Sequence, residues 1–300
     1  MNNNESLKII LKGLMDRYRN RVPDVNKILN AMVSEGIINN FDEIVNDHIA
    51  FRTMGVPQLG IKSLEKIFLH YGYSRKDAYD FPEKKLNAFW YEPENKYFPR
   101  IFISELRVWD LPEDIQKIIT SYTDEVKSDP VDSINLDDPK SVDEFLHSSL
   151  WRLPTKADYE KLLSVSEYAA WVIYNRYYLN HYTISVHRLK DGYNTLEKFN
   201  NFLVNIGVKL NNSGGIIKKS PDGLLLQSST VAELVEAEFE GGEKKVISGS
   251  YVEFAERGIL PEFAHLPAEE RKREHFREGF EAGNADKIFE STFTSQTGQK

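Results

Sequence analysis

Asp47-His48-Ile49-Ala50-Phe51-Arg52 and Asn180-His181-Tyr182-Thr183-Ile184-Ser185 open two stretches of this chain in the same way. The first is followed by Ser63-Leu64-Glu65-Lys66 and the second, at almost the same offset, by Thr195-Leu196-Glu197-Lys198. Each copy closes on a strand-like segment carrying a carboxylate, Glu105 in Ile101-Phe102-Ile103-Ser104-Glu105 and Glu253 in Gly249-Ser250-Tyr251-Val252-Glu253-Phe254. The chain therefore reads as a duplicated unit with His at its start and Glu at its end. Such a pair can supply two imidazoles and a carboxylate to one divalent metal, the ligand set of non-haem Fe(II) oxygen-activating enzymes.

Working outward, 47–53 alternates in the manner of a strand, and Ser63 is expected to cap a helix with Leu64, Ile67, Phe68 and Tyr71 on its apolar face. Segments 85–91 and 100–106 complete a first βαββ or βαβββ module. The second module starts with a strand over 180–187, continues with a helix from Thr195 and ends with the strand that carries Glu253. Two short N-terminal helices are broken by Val22-Pro23, helical patterns cover 113–123, 142–151 and 156–175 between the modules, and a charged helix is expected over 268–281. The units are then 1–40, 41–110, 111–178, 179–258 and 259–300, packed as one domain. The fold class is α+β, with added helices at the N-terminus, between the modules and at the C-terminus.

Within a strand, alternate side chains share a face, so His48, Ala50 and Arg52 form one set and His181, Thr183, Ser185 and His187 another. An isolated strand histidine is usually a packed core residue. Two at equivalent repeat positions favour ligation, and the matching Asp-His and Asn-His openings select His181 over its rival His187.

The composition excludes several function classes. With 300 residues and 41% hydrophobic content there is material for a proper core. A formal charge of −8, with no stripe of Lys and Arg, argues against nucleic-acid binding. Without cysteine, thiolate metal sites and cysteine nucleophiles are excluded, so a metal must be held by His, carboxylate and water. No apolar run approaches a membrane span, and Met-Asn-Asn-Asn-Glu lacks the pattern of a signal peptide, which makes the cytoplasm the expected compartment. A homodimer is left open.

The phrases Asp47-His48-Ile49-Ala50-Phe51-Arg52-Thr53, Asn180-His181 and Tyr251-Val252-Glu253-Phe254-Ala255-Glu256-Arg257-Gly258 resemble those of the vicinal oxygen chelate superfamily, and within it the 2-oxoadipate dioxygenase/decarboxylase family. The likeness runs from about residue 5 to the C-terminus, although the chain is much shorter than the best-described members. It implies two βαβββ modules in a mixed sheet or half-barrel around the metal. It also implies Fe(II) on His48, His181 and Glu253, and Arg52 as the catalytic, substrate-binding residue that takes a substrate carboxylate. The implied reaction is conversion of 2-oxoadipate with O2 to 2-hydroxyglutarate and CO2, as in lysine degradation. Glyoxalase-like members take a carboxylate from both modules, which leaves Glu105 as a fourth ligand or as a partner of a ligand histidine. The rival readings are accordingly a glyoxalase-like isomerase or lyase using Zn(II), Ni(II) or Mn(II), and a non-catalytic protein that binds a small ligand.

Overall fold

The computed structural model describes residues 2–298. In chain order the elements are α1 (Asn3–Arg21), α2 (Pro23–Ser34), β1 (Asn46–Met54), α3 (Ile61–His70), β2 (Tyr73–Phe81), β3 (Leu86–Pro93) and β4 (Arg100–Leu106). The connector holds α4 (Glu113–Thr123), α5 (Pro139–Phe145), α6 (Lys156–Leu163) and α7 (Glu167–Asn175). Then follow β5 (His181–Ser185), α8 (Leu196–Asn205), β6 (Lys218–Lys219), β7 (Leu225–Ser229), β8 (Leu234–Glu238), β9 (Lys244–Ser248), β10 (Tyr251–Arg257) and α9 (Ala282–Phe289).

One eight-stranded sheet, ordered β2-β3-β4-β1-β5-β10-β7-β6, curls into a half-barrel. Its two halves mirror each other about the β1–β5 seam. β1 pairs parallel with β4, β5 pairs parallel with β10, and the first strands meet antiparallel with Ala50 opposite His181. The β8–β9 hairpin is a separate two-stranded sheet inserted into the second half. Helix α1 buries Leu7, Ile10, Leu14 and Tyr18 along one face, as i, i+3, i+4 spacing requires. The Tyr18 hydroxyl donates to the Tyr251 carbonyl and accepts from the Tyr182 amide at 3.3 Å, tying α1 across β5 and β10.

Several sequence expectations are corrected. Helix α3 starts before Ser63, at Ile61, with Gly60 as its cap residue at φ 82°, and a Cβ on Gly60 would lie 2.7 Å from the Glu105 carboxylate. Ser63 instead donates to Asp129 at 2.6 Å. The helix expected over 156–175 is two, because the Ser166 side chain caps a new start by accepting from the Ala169 amide. The helix expected over 142–151 is α5, set earlier by Asp138, which accepts from the Lys140 amide ahead of Pro139. No helix covers 268–281. There, backbone bonds from Leu260 to His275 and from Arg277 to Gly258 hold the chain against the end of β10 with only short turns. The apolar pair Ile288-Phe289 lies in α9, and a single helical turn over Thr294–Thr297 follows it. Strand β2 was missed because it is an edge strand whose Ser74–Asp80 side chains are mostly exposed, so apolar alternation is lacking. Among the described residues no helix is long and apolar enough to cross a membrane.

Candidate metal centre

The repeat brings His48 of β1, His181 of β5 and Glu253 of β10 together across the seam. One ligand atom from each lies within 4.8 Å of the others, and all three residues are buried. The Nε2 atoms of His48 and His181 are 3.5 and 3.1 Å from the two Glu253 oxygens. The other ring nitrogens are fixed by the residue preceding each histidine. His48 Nδ1 is 2.9 Å from Asp47 Oδ1, and His181 Nδ1 is 3.0 Å from Asn180 Oδ1. An Nδ1–H that donates to an oxygen leaves the Nε2 lone pair aimed at the shared centre, the tautomer a metal needs. This donor set fits a divalent ion that accepts imidazole and carboxylate.

The surrounding charges support the same state. Burial alone would raise the Glu253 carboxyl, but the two imidazoles hold it well below the usual carboxylate range. Gln227 of β7 donates to Glu253 Oε1 at 2.6 Å and accepts from Asn284 of α9 at 3.0 Å. Burial lowers the His181 imidazole, whereas for His48 it is outweighed by Glu253 and Asp47, which raise it. Asp47 is anchored by Arg257 at 2.7 and 2.9 Å and by Arg100 at 3.3 Å, and despite burial they keep its carboxyl well below the usual range. The supporting roles of Asp47, Asn180, Gln227, Arg100 and Arg257 were not read from the sequence. The matching Asp-His and Asn-His dipeptides were the signal for the first two. Gln227 and Arg100 come from partner strands whose register no local pattern announces.

The remaining candidates lie elsewhere. Glu105 is not in the cluster, since its carboxylate accepts from the Ile61 amide at 2.9 Å at the head of α3. Neither a fourth ligand nor a partner of a ligand histidine is therefore found there. His187 sits in a turn beyond β5, where its Nδ1 accepts from the Arg257 amide at 3.2 Å and burial pushes its pKa down to about 4. Arg52 is fully buried. It donates to the Thr292 hydroxyl and the Phe289 carbonyl, both at 3.0 Å, and lies 5.2 Å from the ring centres of Tyr168 and Trp171. Its Nε and the Tyr251 hydroxyl are buried without partners among the described residues. The cavity beside the triad has a volume of about 20 Å³, room for roughly one water, and is walled by Phe102, Phe280, Ile288 and Phe289.

Comparison with known proteins places this geometry. A family model described as 2-oxoadipate dioxygenase/decarboxylase matches residues 10–266. A relative from Arabidopsis thaliana named 2-oxoadipate dioxygenase/decarboxylase, chloroplastic, is 42% identical over 294 residues, covering 94% of this chain and 76% of the relative. The crystal structure of the hydroxyglutarate synthase from Oryza sativa in complex with 2-oxoadipate superposes with a TM-score of 0.90 at 40% identity, covering 99% of this chain and 95% of that one. A putative glyoxalase superfamily protein from Ralstonia eutropha, 18% identical with a TM-score of 0.74 over 94% of this chain and 88% of its own, shares the fold.

Proposed function

Because the chain belongs to the 2-oxoadipate dioxygenase/decarboxylase family, we propose that it converts 2-oxoadipate and dioxygen to 2-hydroxyglutarate and CO2, with Fe(II) held by His48, His181 and Glu253. The observation that carries this reading is the convergence of two Nε2 atoms and one carboxylate at the seam of the sheet. When bound, the ion supplies the activation of dioxygen and a chelation point for the 2-oxo carboxylate, with coordination positions left open by only three protein ligands.

The chain's own residues contribute orientation and exclusion of water. Asp47 and Asn180 fix the imidazole rings, and Gln227 fixes the Glu253 carboxylate. Arg52 is assigned the distal carboxylate of the substrate, which a guanidinium binds through parallel charge-assisted bonds. Tyr251, whose hydroxyl is unpartnered, lines the cavity, and Arg52, whose Nε is unpartnered, is its electrostatic neighbour, so the two offer donors that an anion can use. A six-carbon diacid needs far more room than about 20 Å³, so the wall that includes Phe102, Phe280, Ile288 and Phe289 must open to admit substrate. An opening at Phe289 also frees the Arg52 donor now held by its carbonyl.

The oxygen-independent isomerase reading loses its fourth ligand, because Glu105 is spent on α3. The cytoplasm expected from the sequence stays part of this proposal, while the Arabidopsis relative is named chloroplastic. The deciding experiment is dioxygen consumption by anaerobically Fe(II)-loaded full chain with 2-oxoadipate, against 2-oxoglutarate and a no-substrate control. Uptake matched by CO2 and 2-hydroxyglutarate is expected; bound iron with no uptake on 2-oxoadipate would overturn the assignment.

A further inference from the structure

A second cavity lies apart from the one beside the triad. A cleft of about 790 Å³ opens where β1 and β4 begin and β5 and β10 end, and none of its lining residues borders the small cavity. Its volume falls within the range typical of small-molecule sites, roughly 300–1,000 Å³. Asp47, Arg100 and Arg257 line it, and their charges are settled among themselves, Glu278 and nearby carbonyls.

Two other guanidinium groups in the lining are not settled. Arg273 donates through Nη1 to the carbonyls of Lys96 and Phe98 at 2.9 and 2.7 Å, and its Nε is 3.4 Å from Glu278. Its Nη2 is buried without an acceptor among the described residues. Arg188 reaches the Arg271 carbonyl at 3.5 Å and otherwise lies over the Phe276 ring, 4.8 Å from its centre. Both guanidinium groups line the cleft, and Arg188 is exposed to solvent there. Lysines of the lining are already paired, Lys8 with Glu5, Lys12 with Asp16 and Lys96 with Glu92. Of the two lining carboxylates, Asp47 is consumed by Arg257 and Asp42 is exposed. A buried guanidinium donor left unmade costs free energy that an anion recovers. The rest of the lining is largely apolar, with Leu11, Met15, Phe41, Ile44 and Phe276.

We propose that this cleft binds a small carboxylate with an apolar body, its head on Arg188 and Arg273 and its body against Leu11, Met15, Phe41 and Ile44. None of the three metal ligands lines the cleft, although Asp47, which bonds to His48, does.

Titration calorimetry on the full chain, stripped of metal with a chelator, tests this with octanoate and with 1-octanol as its neutral counterpart. Octanoate is expected to saturate at one per chain, with 1-octanol at least about tenfold weaker. Arg188→Gln, an exposed position whose loss leaves the fold intact, is expected to weaken octanoate by about tenfold and leave 1-octanol unchanged. Arg273→Gln should do the same, although it also frees the 96–98 carbonyls. Absence of saturable octanoate binding, equal affinity for the alcohol, or unchanged binding by Arg188→Gln would each overturn the assignment.

Discussion

Glu105 and Glu256 are counterparts. Glu105 lies five residues beyond Arg100, the residue paired with His48, and Glu256 lies five beyond Tyr251, the residue paired with His181. Each accepts a hydrogen bond from the first turn of its own module's helix, Glu105 from the Ile61 amide at 2.9 Å and Glu256 from the Leu196 amide at 2.6 Å. A carboxylate at a helix N-terminus satisfies an orphan amide and meets the positive end of the helix dipole. The counterpart of Glu253, two residues beyond its own pairing position, is Phe102.

Replacing either helix-capping carboxylate should therefore cost stability and not metal. Glu105→Ala and Glu256→Ala are each expected to lower unfolding free energy by about 1 kcal/mol, in the range for losing an N-terminal cap. Urea unfolding and metal content measured on the same samples check this. Loss of metal from Glu105→Ala at unchanged stability would restore it as a ligand.

His48→Ala, His181→Ala and Glu253→Ala should each abolish stoichiometric metal binding, because two ligands do not hold a divalent ion firmly at this site. Elemental analysis after dialysis is the readout, and a variant that keeps its full metal content would remove its residue from the centre.

Asp47→Asn keeps the size of the side chain and removes the charge that faces Arg257 and Arg100. Metal affinity is expected to fall by about 10- to 100-fold, as when a partner of a ligand histidine is lost. Stability should also fall, by roughly 3–5 kcal/mol, since two buried guanidinium groups lose their counter-charge. Competition with a chelator and chemical unfolding separate the two effects.

Arg52→Ala should leave metal content intact and reduce kcat/KM for 2-oxoadipate by about 100-fold or more, the loss of a charge-assisted pair worth roughly 3 kcal/mol. Arg52→Lys should recover only part of it, because an ammonium cannot reproduce the planar fork. Unchanged kinetics in the alanine variant would take Arg52 out of substrate binding.

Lys218 gives a pH signature that is to be measured on metal-free protein, because the charge of the ligand Glu253 acts on it. Burial pushes its pKa down to about 8 from 10.5, with Nζ donating to the Asn211 carbonyl at 2.8 Å. Between these values the unfolded chain holds a proton that the folded chain has released, so stability rises with pH through that window, by at most about 3 kcal/mol, and is level below it. Lys218→Met should lack the rise in urea unfolding between pH 7.5 and 10.5. Parallel curves for the two proteins would show that the amine is not desolvated.

The residues that carried information in the sequence were those whose chemistry and spacing act locally. Asp47-His48 and Asn180-His181 stood out because they open the two copies of the repeat in the same way, and the structure adds that in each the first residue accepts from the ring of the second. Aligning Glu105 with Glu253 failed because the true offset differs by three residues, and an odd shift in a strand reverses the face. Strand β2 hid behind its charged, exposed side chains, and the tail over 268–281 looked helical because its charges are spaced to suit a helix while its backbone bonds go to Leu260 and Gly258. Neither the Asn284–Gln227–Glu253 chain nor the Arg52 contacts with Phe289 and Thr292 could be read in advance, since they join segments more than twenty residues apart.

The antiparallel seam, with Ala50 opposite His181, means that neither half of the molecule owns the metal. One half contributes a single imidazole, the other an imidazole and a carboxylate. An ion bound there is a rivet between two ancestral copies, and by mass action every tenfold excess over its dissociation constant adds about 1.4 kcal/mol to the cost of prying them apart. Loss of the metal would then loosen the joint itself.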